Sequence, residues 1–332
     1  MKVIKAKYQH IMEKSPILKI ERIARVCYKS EELIGPGTAE KMVGKLVERK
    51  HYAMLEHASL TYIVTKELYR YIRAMVDDLQ EEFYSDDVTE VKPINRLRFT
   101  EYAPESRHVI TGNLRAWLEF FEHAVQFEKE DISIMSKLMN EIFKDSNCIV
   151  DFREYASNVE EDNCTLVTDY SVLSGTERMV HESFSILFTV DRGVTHELVR
   201  MRDCSFAQES TRYCNYSNGK YGNEITVIEP CFWEPGTLPY ITWETSCQFA
   251  EKQYIMLTED LKEPAQRARD VLPTSVKADI VVTTYLDEWR HIFNLRACDA
   301  TGPAHPQMKE VMVPLLLDVK PVYEFAFGDL NP

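Results

Sequence analysis

Apolar residues recur along the chain with two periods, near 2 and near 3.6, and the changes between them mark out strands and helices. Residues 1–9 alternate and predict a first strand, while 17–29 (ILKIERIARVCYK) place Ile20, Ile23 and Val26 on one helical face. The GPG at 35–37 interrupts the chain, and a second helix is expected over 38–50, with Thr38 as N-cap and Met42, Leu46 and Val47 inward. HYAMLEHASLTYIVT (51–65) reads as a loop feeding a strand. HESFSILFT (181–189) predicts another strand, and DRGVTHELV (191–199) a helix burying Val194, Leu198 and Met201 at i, i+4 and i+7. Beyond a turn-rich stretch at 213–223, a strand is expected over 224–233 and a long amphipathic helix over 243–261. Pro264 opens a further helix that Pro273 stops, and a strand (279–284) and a helix (286–296) follow.

The pattern also echoes itself. Aligning Val109 with Val281 matches Thr111 with Thr283, Leu114 with Leu286, Trp117 with Trp289 and Phe121 with Phe293, without a gap. HASLTYIVT (57–65) similarly echoes HESFSILFT (181–189). These pairs leave two readings open, a degenerate internal repeat and an unrelated helical insertion. The stretch between them also contains a charged run at 77–83 and an amphipathic segment at 133–143.

A chain of 332 residues with 45% hydrophobic content can bury a sizeable core in about two domains. Lys+Arg 39 against Asp+Glu 53 leaves a charge of −14, which argues against a general nucleic-acid surface. Eight cysteines without a CxxC pair indicate neither a zinc site nor a disulfide framework, so a reduced, cytoplasmic protein is expected. The N-terminal stretch lacks the apolar core of a signal peptide, and no apolar run approaches the roughly 18–20 residues of a membrane span. The absence of GxGxxG and GxxxxGK[ST] argues against a Rossmann dinucleotide fold and a P-loop.

Chemistry concentrates in RMRDCSFAQESTRY (200–213). Arg200, Arg202 and Arg212 call for an anion. Ser205, Ser210 and Thr211, with the exposed backbone N–H groups of the loop, add donors suited to a phosphate or a pyrimidine edge. Three arginines alone would equally describe a solvated, salt-bridged helix end. His51 and His57, taken singly, read as core or surface residues.

This run resembles the RHRxxSxNExSxRY motif of the flavin-dependent thymidylate synthases, the ThyX family, with Arg200, Arg202, Ser205, Ser210, Arg212 and Tyr213 in register. Met201 stands where that motif has His, and Ala207-Gln208 where it has Asn-Glu. HYAMLEH (51–57) is similar to the family's HxxPxEH segment, without its proline and with Ala53 replacing a hydroxyl residue. Arg269 precedes VLP as a nucleotide-binding arginine does in the family, and FNLR ends in Arg296 like the family's xxLR. His181, not His57, lies at the family's spacing from Arg200. The resemblance therefore implies a catalytic domain made of 1–64 and 181–332, with 65–180 as an inserted subdomain, for which the degenerate repeat and an unrelated helical insertion are both open.

The resemblance implies an α/β (α+β) fold, a mainly antiparallel sheet flanked by helices. It also implies a homo-oligomer with shared active sites, no metal, and neither nucleic-acid nor membrane partners. The implied reaction is FAD-dependent reductive methylation of dUMP to dTMP, with methylenetetrahydrofolate as carbon donor and NADPH as reductant. Arg296 would act catalytically at the pyrimidine N3/O2 edge, favouring the ionised ring. Arg212 and Arg269 would hold the phosphate, helped by the backbone N–H groups of 209–211, with Glu197, Arg200, Gln208, Glu209, Ser210, Thr211 and Arg296 completing the dUMP site. His51, Arg200, Met201, Arg202, Gln208 and His291 would contact FAD. Three other readings stay open: C5 modification of another pyrimidine nucleotide on the same scaffold, a flavin- or nucleotide-binding homologue without catalysis, and a thiol route through Cys204 or Cys214. Because Ala124 aligns with Arg296, the first repeat is expected to be inactive. The strand–helix units Thr111–His123 and Thr283–Leu295 are expected to superpose about an approximate two-fold axis, in a particle of fewer than four chains.

Overall fold

Alternation at the start of the chain builds two short strands, β1 (Lys2–Ile4) and β2 (Lys7–His10), where one had been expected over 1–9. The break at Lys5-Ala6 lets the chain change partners, since β1 and β2 join different sheets. The structure is a computed structural model that describes residues 1–83, 97–101, 107–127, 132–143, 162–219 and 222–332. These form two compact units: 1–12, 22–32 and 184–332 make the first, and 13–21 with 33–183 the second. Helix α1 (Pro16–Val26) has residues in both.

The second unit begins with α2 (Thr38–Glu48). Thr38 is not its cap: Gly37, at φ 70, takes that place, and the Thr38 hydroxyl instead donates to the Gly35 carbonyl at 2.8 Å to close the GPG turn. The buried residues are Ala39, Val43 and Leu46; the expected Leu46 is among them, and Met42 and Val47 are half-buried at the edges of the same face. Then come β3 (Ser59–Val64), α3 (Lys66–Phe83), β4 (Arg98–Glu101), β5 (His108–Asn113), α4 (Leu114–Phe127), α5 (Ser136–Phe143), β6 (Cys164–Leu166) and α6 (Gly175–His181). The charged run 77–83 ends α3, and its side chains from 78 onward lie outside the described residues. The strands form an antiparallel sheet in the order β4-β5-β3-β6. Trp117, Phe120, Phe121 and Tyr62 are fully buried in this unit. His181 is also buried, its Nδ1 at 2.8 Å from Thr111 Oγ1 and its Nε2 at 2.7 Å from Thr100 Oγ1.

The first unit contains β7 (Ser183–Asp191), α7 (Arg192–Leu198), β8 (Ser205–Gln208), β9 (Thr226–Ile228), α8 (Leu238–Ile255), α9 (Ala265–Ala268), β10 (Lys277–Tyr285), α10 (Leu286–Arg296), α11 (Pro306–Val319) and α12 (Glu324–Phe327). Its main sheet runs β2-β7-β10-β8, and β1 pairs in parallel with β9. β10 (KADIVVTTY) is β-branched and buried almost throughout, as suits an inner strand covered on both faces. The strand expected over 224–233 shrinks to 226–228, because Pro230 cannot continue a ladder. The helix expected over 243–261 starts earlier, at Leu238-Pro239, where proline suits the first turn, and ends in a π turn over 256–260. Phe184 stacks on Trp289 with ring centroids 4.7 Å apart, and α11, unassigned from the sequence, buries Val311, Met312, Leu315 and Leu316. Both units thus answer to antiparallel sheets flanked by helices.

Candidate functional site

The arginine-rich run lies in the first unit, held by α7 before it and β8 within it. Asp191 caps α7, its side chain accepting from Val194 N at 2.9 Å. A Cβ on Gly193 would lie 2.8 Å from Asp191 Oδ1, so glycine is what lets that cap close. Val194 and Leu198 are buried as expected, whereas Met201 is only half-buried. Past the helix the chain turns through Asp203, at φ 51, and Thr284 Oγ1 donates to the Asp203 carbonyl at 2.7 Å. β8 then pairs with β10, Phe206 opposite Val282.

This path leaves Arg200 and Arg202 exposed, and neither has an ion-pair partner among the described residues. Arg212 is exposed as well, its guanidinium 5.5 Å from the Tyr213 ring centroid. In a chain of charge −14, guanidinium groups without carboxylate partners form a local anion-seeking surface. Arg269 sits in the turn after α9, loosely held 3.9 Å from Asp270. His291 is exposed on α10. His51, also exposed, belongs to the second unit and opens the 3₁₀ turn over 52–57.

Arg296 ends α10, which follows β10 directly. Its Nη1 donates to Glu197 Oε2 at 3.1 Å, the side chains being 21% and 32% exposed. Its Nε is buried and has no hydrogen-bond partner among the described residues. An unpaired buried guanidinium N–H is costly to leave unmade and is a ready donor for a carbonyl or ring nitrogen. Gln208 Nε2 donates to Thr195 Oγ1 at 2.8 Å, and the Thr195 hydroxyl donates to the Arg192 carbonyl at 3.0 Å, so Gln208 ties β8 to α7.

The continuation of β8 turns away from this donor set. Glu209 is 2% exposed, and its carboxylate meets Lys277 Nζ at 2.5 Å, Tyr216 OH at 3.3 Å and Asp279 N at 3.3 Å. Lys29 pairs with Asp279, which also accepts from Thr189 Oγ1 at 2.7 Å. A cavity of about 340 Å³ is lined by Lys29, Lys277, Glu209 and Tyr216 among others. Burial pushes the Lys277 ammonium down to about 8, with Glu209 opposing the shift. Two of the three N–H groups read as anion donors are committed to backbone carbonyls, Glu209 N to Asp279 O at 2.8 Å and Ser210 N to Cys27 O at 3.1 Å. Thr211 is buried and Ser210 half-buried, its Oγ accepting from Arg212 N at 3.3 Å.

The sequence reading passed over Lys29, Lys277 and Asp279. The available signal was the spacing of Lys277 and Asp279, which points both to one face of β10. Cys214 is fully buried in an apolar cluster with Tyr216, Val227, Cys247 and Tyr254, an environment that does not activate a thiol. Among the described residues, no group of three or more His, Cys, Asp or Glu could hold a metal, and no helix is long and apolar enough to cross a membrane.

A family model described as Thymidylate synthase complementing protein, Thy1, matches residues 152–322, about half of the chain. Curated relatives include a flavin-dependent thymidylate synthase of Geobacter sulfurreducens, 30% identical over 153 residues, covering 46% of this chain and 62% of the relative. Another, from Pyrococcus abyssi, is 31% identical over 153 residues, covering 45% of this chain and 59% of the relative. The chain thus spans about three-fifths of the length of the curated relatives it matches. Among solved structures, the UMP/dUMP methylase PolB from Streptomyces cacaoi bound with 5-Br dUMP aligns over 99% of this chain and 98% of its own, at 14% identity and a TM-score of 0.39.

Proposed function

The chain belongs to the thymidylate synthase complementing protein family, Thy1, and on that premise we propose that it is a flavin-dependent methyltransferase converting dUMP to dTMP. Methylenetetrahydrofolate would be the carbon donor and NADPH the reductant. The observation that carries the reading is Arg296, half-buried, bonded to Glu197 and keeping a buried Nε without a partner. Such a group suits the O2 or N3 of a pyrimidine, where a fixed cation favours the electron-rich ring that C5 alkylation needs.

The remaining roles follow from the chemistry of each side chain. Arg212 and Arg269 would take the phosphate, helped by the Ser210 hydroxyl, with Arg200, Gln208 and Thr211 completing the nucleotide site. The unpaired guanidinium groups of Arg200 and Arg202 fit the anionic part of a flavin dinucleotide, and half-buried Met201 fits a ring face, since thioether–aromatic contact is favourable. His51 and His291 are proposed to contact that cofactor as well. When bound, the flavin supplies the redox chemistry, while the protein orients the rings and fixes charge. We place the enzyme in the cytoplasm as a homo-oligomer with sites between subunits.

A second reading, C5 modification of a different pyrimidine nucleotide, draws support from Glu197, a carboxylate able to accept from an exocyclic amine beside Arg296. One assay separates the readings. Purified protein should show flavin absorbance and release tritium from dUMP labelled at C5 when donor and reductant are added. Release from labelled dCMP instead favours the second reading, and flavin binding without release from either nucleotide leaves a non-catalytic flavoprotein.

A further inference from the structure

Hydrogen bonds and strand registers recur in the two units at matched positions. In the second unit the Trp117 indole donates to the Leu60 carbonyl at 3.4 Å, and in the first the Trp289 indole donates to the Phe184 carbonyl at 3.3 Å. Leu60 and Phe184 occupy the same position of HASLTYIVT and HESFSILFT. One residue on, Thr61 Oγ1 lies 2.8 Å from Thr111 Oγ1, and Ser185 Oγ lies 2.7 Å from Thr283 Oγ1. Thr111 and Thr283 are themselves an aligned pair, so two independent hydrogen bonds recur at matched places.

Strand registers repeat as well. Arg98 of β4 faces Thr111 and Phe99 faces Ile110, just as Ser205 of β8 faces Thr283 and Phe206 faces Val282. β7 runs longer than β3, so the helix that follows begins two residues later in the second copy, and its cap bonds alike: Thr65 Oγ1 accepts from Leu68 N at 3.3 Å and Asp191 Oδ1 from Val194 N at 2.9 Å. Counting from those caps, Leu68, Tyr69 and Ile72 are buried where Val194, Thr195 and Leu198 are.

The outer strand of each sheet also recurs, and its origin in the sequence differs. β6 lies against β3 with Leu166 opposite Tyr62, and β2 lies against β7 with His10 opposite Ile186, the residue matching Tyr62. The next residue in each bonds alike: Val167 N to Thr61 O at 2.8 Å, and Ile11 N to Ser185 O at 3.0 Å. β2 precedes the first copy in sequence yet edges the sheet of the second, and β6 precedes the second copy yet edges the sheet of the first.

We infer that the chain is an internal duplication whose copies have exchanged edge strands, and that the first copy is silent, so each chain holds one nucleotide site. Silence follows from what occupies the matched positions. Tyr71 stands for Glu197, Ala74 for Arg200 and Ala124 for Arg296, and Ala124 is 1% exposed, closed against any ligand. The scaffold survives in this copy, and each charge at those three positions is gone.

The duplication is tested by disulfide trapping. His10→Cys with Ile186→Cys, and Val64→Cys with the native Cys164, its cross-strand partner, should each oxidise within one chain. If His10→Cys instead bonds to a cysteine at Tyr62, the strands are not exchanged. An experimental structure in which only one of the two indoles bonds its matched carbonyl overturns the duplication outright. The single site rests on the proposed function and is read by equilibrium dialysis with dUMP. One nucleotide per chain, lost in Arg296→Ala, is expected. Two per chain overturns the silence of the first copy, whereas none counts against dUMP as the ligand and leaves the trapping result to decide the duplication.

Discussion

Arg296 and Glu197 meet at 3.1 Å from the C-terminal end of α10 and the last turn of α7, and the bond uses only one of the guanidinium's donor positions. A carboxylate there fixes the fork in plane and screens its charge until a better acceptor arrives. Because both side chains are a fifth to a third exposed, the pair contributes little to stability, about 1 kcal/mol or less. Its consequence is orientation.

Arg296→Ala should abolish C5 alkylation while leaving flavin bound, since the guanidinium is proposed to act on the pyrimidine alone. Arg296→Lys should also be poor, because an ammonium cannot reproduce the planar fork. Glu197→Gln keeps a hydrogen bond and removes the charge, so turnover is expected to change far less than in Arg296→Ala. Single-turnover rates with flavin content measured in parallel give the answer, and unimpaired turnover in Arg296→Ala removes this residue from the mechanism.

Met201→His should tighten FAD binding by roughly one neutral hydrogen bond, about 0.5–1.5 kcal/mol. The side chain is half-buried and stands in sequence between the two unpaired arginines, Arg200 and Arg202. Fluorescence titration of the apoprotein measures it; weaker binding would mean that the pocket is built around the thioether.

Much of this was legible in the chain, for identifiable reasons. β10 and α10 carry strong, uninterrupted periods, and the expected 279–284 and 286–296 match 277–285 and 286–296 closely. The Trp117/Trp289 and Thr111/Thr283 identities are where the sequence carries the proposed repeat, because buried hydrogen-bonding residues constrain both neighbours at once. What escaped depended on partners outside the element being read. Thr38 has the chemistry of a cap, yet its hydroxyl is taken by Gly35. Glu209 reads as a ligand residue in a run of polar side chains, and only the register of β8 on β10 brings it to Lys277. The exchange of β2 and β6 leaves no local trace, since either pairing satisfies the same alternation.

Gly112→Ala should destabilise the second unit by about 1–3 kcal/mol through overpacking. A Cβ there would lie 2.5 Å from Leu97 Cδ2 and 2.8 Å from Trp117 Nε1, and both neighbours are buried. The matched position in the other copy is Thr284, whose hydroxyl bonds Asp203, so the same small-residue demand does not arise there. Urea unfolding of the variant, with no loss of stability, would contradict the packing described.

Acid should weaken the second unit through His181. Burial, with Arg98 nearby, pushes its imidazole down to about 3 from an ordinary 6.5. Between those values the unfolded chain takes up a proton that the folded chain refuses, so stability falls as pH drops, by about 1.4 kcal/mol per unit within the window. His181→Gln, which keeps a donor and an acceptor without titrating, should flatten that part of the pH–stability curve. Equal slopes for the two proteins between pH 6.5 and 4 would show that His181 does not titrate as its burial demands.

Lys277 should carry a signature of the same sign, displaced to alkaline pH. Its ammonium is pushed down by burial to about 8 from 10.5; Glu209 opposes the shift and Lys29 adds to it. Between pH 8 and 10.5 the folded chain has released this proton and the unfolded chain has not, so the group's contribution makes stability rise with pH across that window. The free amine faces the cavity beside Glu209 and Tyr216, and an amine-selective acylating reagent should modify it with a midpoint near pH 8. Exposed lysines should follow at their usual, higher pH. Glu209→Gln removes the carboxylate that holds the proton on, so the midpoint should fall further. Peptide mapping of the acylated protein across pH measures both, and a Lys277 midpoint at or above that of exposed lysines would mean that its pairing with Glu209 and Asp279 outweighs its burial.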